Sequence, residues 1–159
     1  METSLQFLLS SLGVINGSLV GLYLLFKRGA KPSDRYFGAL LLVLGIRIGK
    51  SVAHYYHQGL DPLIRQIGLT AGFFIGPFFF AYLLTLAYPQ RDFRQAFRWV
   101  GGSLALLILT VGILWPYRQY GQVWNGPIIH TIYVSWALFV AAALIPGFRL
   151  VKNALSQPK

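Results

Sequence analysis

Cysteine is absent from this sequence, and acidic residues are scarce: Asp and Glu total 4 among 159 residues. The missing cysteine excludes a disulfide framework, a thiol nucleophile and a Cys-ligated metal. The missing carboxylates exclude a paired-carboxylate active site, and no acid is placed to orient a histidine for a serine nucleophile. Gly-x-Ser-x-Gly, P-loop and His-Glu-x-x-His motifs are also lacking. No enzymatic activity is expected. Charged residues make up 11% of the chain, against about 25% in an ordinary soluble domain. That excludes a soluble globular enzyme, a disordered tail and a DNA-binding domain.

The residues that are present are apolar and basic. Hydrophobic residues reach 55%, and 14 Lys and Arg give a formal net charge of +10. In a chain whose mean hydropathy is +0.56, such an excess points to the positive-inside pattern of membrane proteins rather than to nucleic acid. A membrane helix needs about 20 apolar residues. Five stretches qualify, at about 4–26, 36–56, 63–88, 97–117 and 127–148. The expected fold is all-α, a single transmembrane domain of five bundled helices surrounded by the lipid bilayer.

Polar punctuation separates the spans. Lys27 to Arg35 forms a polar turn, with Ser33 or Asp34 placed to cap the second helix. Asp61-Pro62 opens the third span as cap and first helical residue, and Pro89 to Asp92 closes it. Gln119 to Gly126 is a polar, aromatic connection. The first span lacks a basic leader and a small-residue cleavage site, so it is expected to be retained. Lys27, Arg28, Lys31, Arg35, Arg91, Arg94 and Arg98 flank the loops after spans one and three, and Arg149, Lys152 and Lys159 follow span five. These predict a cytoplasmic C-terminus and an outward N-terminus.

Glycines recur every four residues: Gly13, Gly17 and Gly21; Gly45 and Gly49; Gly68, Gly72 and Gly76. Small residues at this spacing let helix backbones approach closely in lipid, so all eight are expected to pack. Gly76-Pro77 is expected to kink span three. Trp99, Trp115, Trp124, Tyr117 and Tyr120 are expected in an interfacial aromatic belt.

Span two carries Arg47, Lys50, His54 and His57 within about 80° of one helical face. A charge near a bilayer centre costs at least about 2.5–3.5 kcal/mol, so it marks a functional site and should face the bundle interior. No acid lies deep in a span to neutralise Arg47. Candidate partners are Asn16, Thr70, backbone carbonyls, water, an anionic ligand or lipid, or a carboxylate of another chain. Arg47, Lys50, His54, His57 and Asn16 are the expected ligand-binding residues. His54, His57 and His130 fall at similar depth, where a bis-imidazole haem or a metal would fit geometrically. A hydrogen-bonded interfacial histidine is the commoner arrangement, and no cofactor or metal is expected.

The stretch Gly13 to Phe26, the basic loop Lys27 to Arg35 and the run from Leu40 through Gly45-Ile46-Arg47-Ile48-Gly49-Lys50-Ser51 form a pattern. Gln66-Ile67-Gly68-Leu69, Phe74-Ile75-Gly76-Pro77-Phe78, Tyr82 and Trp115-Pro116-Tyr117 continue it. The pattern resembles the membrane half of AraC-type bacterial transcription factors, which join a multi-span N-terminal domain to a helix-turn-helix domain. The resemblance implies a sensor in the bacterial inner membrane that signals to a cytoplasmic partner. The family has further spans and then the DNA-binding domain. No helix-turn-helix lies in these residues, so no direct nucleic-acid contact is expected. The expected function is a sensory or ligand-binding membrane module for an anionic ligand or lipid. The alternatives are an accessory subunit of a larger membrane complex, a small homo-oligomeric transporter or channel, and a haem-binding electron-transfer subunit.

Overall fold

The structure, a computed structural model, describes residues 2–57 and 59–156, with side chains from Gln6 onward. Lys159, one of the residues used to orient the chain, lies outside the described residues. The elements are α1 (Glu2–Phe26), α2 (Pro32–Tyr56), α3 (Pro62–Ala87), α4 (Arg94–Leu114), α5 (Tyr117–Val123), a π-helical turn (Trp124–Ile128) and α6 (Ile129–Leu155). Five helical segments are long and apolar enough to cross a membrane.

The helix ends follow local chemistry. The turn after α1 contains Gly29 at φ 74°, a left-handed conformation that glycine adopts without a Cβ penalty. Pro32 and Pro62 start α2 and α3, where their missing N–H would have had no helical partner. The Asp61 carboxylate accepts from the Leu63 backbone N–H at 2.7 Å, as its position before Pro62 predicts. At α2 the cap differs from expectation. The cap lies a little earlier, at Lys31, and Asp34 reaches back to accept from the Lys31 N–H at 3.2 Å. Ser33 is buried instead.

Helix α3 is the centre of the bundle. It packs against α2 and α6 and touches α4 and α5, while α1 packs on α2. It continues unbroken from Pro62 to Ala87 through Pro77. Gly76 seats α6: a Cβ there would lie 3.0 Å from Trp136 Cα and 3.0 Å from Phe139 Cβ.

Three expectations are corrected at the opposite end of the bundle from the loop between α1 and α2. Span four stops at Leu114, because Pro116 disfavours helix at the preceding Trp115, which is non-helical at φ −124° and ψ 72°. The polar connection of Gln119 to Gly126 is itself helical, as α5 and the π turn. Trp124 and Tyr117 are core rather than belt residues. Trp124 is 0% exposed and packs with Leu69, Phe73, Ile108, Tyr117 and Ile132. Its indole N–H donates to the Trp115 carbonyl, and Asn125 Nδ2 donates to the Tyr117 hydroxyl at 2.9 Å. These bonds satisfy the polar tips that drew both rings towards an expected interface. Gln66 ties α3 to the same corner, donating to the Gly112 carbonyl at 3.1 Å and accepting from the Tyr117 N–H at 2.9 Å. Trp99 stays 75% exposed, and Trp115 and Tyr120 are also exposed.

The basic segments gather at the other end. Lys31, Arg91 and Arg94 line one cavity there, and Arg35, Arg94 and Arg98 line its neighbour. The Arg149 guanidinium of α6 lies 4.3 Å from the Tyr88 ring centre, which brings the last helix to the same side.

Candidate functional site

Arg47 lies just past the middle of α2, on the side that faces α3. Its stem runs over Gly72, where a Cβ would stand 3.4 Å from both Cδ and Nε of the arginine. One turn along, the stem of Lys50 fills the space above Gly68, where a Cβ would lie 2.6 Å from Lys50 Cγ. The two glycines of α3 thus form a trough for two basic stems of α2. The periodic glycines were expected to pair helix backbones, and here they accommodate long cationic side chains instead.

The guanidinium is held by neutral groups. Arg47 Nη1 donates to Ser51 Oγ at 3.1 Å, and Nη2 donates to the Tyr133 hydroxyl of α6 at 3.2 Å. Ser51 Oγ in turn donates to the Arg47 carbonyl at 3.1 Å. An arginine has five N–H donors, so these two bonds leave capacity for an anion. Asp34 and Asp61 cap helices, and Asp92 pairs with Arg94 at the basic end. None of them reaches Arg47 or Lys50. Two cations, Arg47 and Lys50, therefore lie one turn apart against α3.

A groove of about 230 Å³ opens beside Arg47. Its floor is Leu69, Gly72 and Ile75 of α3, and its walls are Leu44 and Arg47 of α2 and Ile132, Tyr133 and Trp136 of α6. The groove is apolar apart from the guanidinium and the tyrosine hydroxyl. Such a site suits a ligand with one anionic group and an apolar body.

The structure brings Arg47 and Lys50 together against α3. His54 and His57 are exposed at the end of α2, and Asn16 is exposed on α1, so these three do not line the groove. His130 Nδ1 lies 2.7 Å from the Gly126 carbonyl of its own helix turn. No group of three His, Asp or Glu able to hold a metal occurs among the described residues. Tyr133 and Ser51 were missed by sequence reasoning. Ser51 lies one turn beyond Arg47, and this spacing was available as a signal. Tyr133 is 86 residues away and is paired with Arg47 only by the packing of α3 against α6.

The glycine stripes divide similarly. Gly21 meets Gly38, Gly45 meets Ser18 and Gly49 meets Val14 along the contact of α1 with α2. Gly13 and Gly17 meet no atom within 4 Å, so their expected packing is not realised within this chain.

No family model, no curated protein and no solved structure matches this chain. The resemblance to AraC-type membrane domains stands on the sequence motifs alone.

Proposed function

We propose that the chain is a multi-pass membrane protein whose basic end faces the cytoplasm, and that it is a ligand-binding module. The ligand carries an anionic group on an apolar body, held at Arg47 and Tyr133 between α2, α3 and α6. One observation carries this reading: a guanidinium in the middle of an apolar helix has only hydroxyl partners among the described residues and faces an apolar groove. Charged side chains at such a depth pair with something, and an anionic ligand supplies what Asp34, Asp61 and Asp92 do not. Following the AraC-type resemblance, occupancy of the groove is signalled to a cytoplasmic partner in a bacterial inner membrane.

Trp136 lines the groove and provides the test. With the exposed Trp99 and Trp115 replaced by Phe, a brominated dodecanoate should quench its fluorescence in the micelle-bound protein, and the methyl ester should not. Arg47→Leu should weaken the carboxylate's effect at least about tenfold, the loss of one charge-assisted pair. Equal quenching by acid and ester, or no effect of Arg47→Leu, would sink the reading.

A second reading, an assembly subunit or homo-oligomer, is favoured by the outer face of α1. Gly13 and Gly17 meet nothing within 4 Å, and Asn16 is exposed on the same face. Small residues with a polar side chain are what associating membrane helices use. Since the chain has no cysteine, a single Gly17→Cys substitution reports this directly. Rapid oxidation to a disulfide-linked dimer in membranes favours it, and a monomer on a non-reducing gel counts against it.

A further inference from the structure

The basic end of the bundle is joined to an apolar groove, and this combination has no role in the Arg47 site. Arg35 of α2 and Arg94 and Arg98 of α4 line a cavity of about 420 Å³ together with Tyr36, and no acidic residue lines it. Arg35 and Arg98 are exposed and make no ion pair among the described residues. Arg94 is shared with Asp92, whose carboxylate lies 3.9 Å from its Nε in the adjoining cavity. Tyr36 also lines a second, larger space of about 560 Å³ between α3 and α4. That groove is walled by rings such as Phe74, Phe78 and Phe97, and small residues on α4, among them Ala96, Gly101 and Ala105, keep it open. Tyr36 and Phe97 stack edge to face at 5.0 Å, forming a collar between the cationic mouth and the apolar groove.

We propose that this continuous surface binds one anionic phospholipid. Its phosphate sits among Arg35, Arg94 and Arg98, its glycerol lies at the Tyr36–Phe97 collar, and an acyl chain fills the groove between α3 and α4. The charge sequence along the surface is that of the lipid: anionic acceptor, polar neck, apolar tail. Basic pockets between membrane helices on the cytoplasmic side select anionic headgroups, and arginine forks match phosphate oxygens. The space beside the collar matches an acyl chain better than a helix from another protein, because the cavity at its mouth is lined by three arginines and no acid, Asp92 lying in the adjoining cavity. The proposal requires only that the chain spans a bilayer with its basic loops at the headgroup level, and it is independent of the Arg47 groove.

The test uses the full chain in phosphatidylcholine nanodiscs, titrated with phosphatidylglycerol, with binding read by native mass spectrometry and by the melting temperature. Phosphatidylglycerol should be retained at one copy per chain and raise the melting temperature, whereas added phosphatidylcholine should not. Glycerol 3-phosphate, which has the headgroup chemistry without the tail, should give no shift. Arg35→Gln with Arg98→Gln should weaken phosphatidylglycerol binding on the order of 30-fold, each cation near an anionic lipid being worth roughly a factor of five. Both side chains are exposed, so melting in pure phosphatidylcholine should stay unchanged and show that the variant is folded. Ala105→Trp should reduce retention by blocking the groove, whereas Arg47→Leu should leave it intact. Equal retention of both lipids, a full shift with glycerol 3-phosphate, or unchanged binding by the double glutamine variant would overturn the proposal. So would a lipid-independent dimer that Ala105→Trp dissociates, since a second copy would then occupy the groove.

Discussion

Gly21 and Gly38 face each other where α1 crosses α2. A Cβ on Gly21 would stand 2.8 Å from the Gly38 carbonyl oxygen, and one on Gly38 would stand 2.7 Å from that of Gly21. The contact is backbone against backbone, so neither side can yield by a change of rotamer. This close backbone approach helps α1 attach to the bundle through α2.

Gly38→Ala should therefore destabilise the protein by about 1–3 kcal/mol, the usual cost of forcing atoms into a filled contact. Gly17→Ala has open space around its Cβ. It should be neutral or stabilising by up to about 1 kcal/mol through helix propensity. Unfolding in mixed micelles of both variants measures the contrast. Equal stabilities would show that the Gly21–Gly38 contact does not hold α1.

Gly68 and Lys50 make a similar but asymmetric contact. A Cβ on Gly68 would meet both Cγ and Cβ of Lys50, the latter at 2.8 Å, close to the backbone where the side chain cannot swing aside. Gly68→Ala should cost about 1–3 kcal/mol, and Lys50→Gly, which removes both Cγ and Cβ, should cost less in the Gly68→Ala background than in the wild type. A double-mutant cycle reads the coupling. Additive effects would mean that Lys50 does not occupy the trough.

Gln66 joins three segments by one side chain. Gln66→Leu removes its bonds to Gly112 and Tyr117. It should cost about 1–3 kcal/mol, as each interhelical hydrogen bond in a membrane averages about 0.6 and a buried unpaired amide costs more. The loss should appear as faster hydrogen exchange at Tyr117 and its neighbours, with α1 and α2 unaffected. Uniform acceleration over all helices would contradict this local role.

Trp124 and Trp99 separate core from surface. Trp124→Ala should lose about 3–5 kcal/mol, because the ring is fully enclosed. Trp99→Ala, at a site 75% exposed, should change stability by less than about 1 kcal/mol in micelles. Comparable losses at the two positions would return Trp124 to an interfacial role.

The all-α character, the number of apolar helices and most of their ends were determined by the sequence itself. An apolar stretch of some 20 residues can satisfy its backbone polar groups internally as a helix, and Pro32, Asp61-Pro62 and Pro116 act on their immediate neighbours. The wealth of basic residues in alternate loops also made the charged end legible, since helices joined by short loops must alternate in direction. Helix pairing and rotation were left to the tertiary structure, because a side-chain partner depends on which faces of two distant helices meet. Arg47 could be singled out from its depth in an apolar run, but its bond to Tyr133 exists only because α2 and α6 flank α3. The glycine spacing was equally visible in α1 and α3, yet Gly68 and Gly72 receive basic stems while Gly13 and Gly17 point away from the chain. Identical local patterns acquire different roles once the packed neighbours, rather than the sequence spacing, set what each face touches.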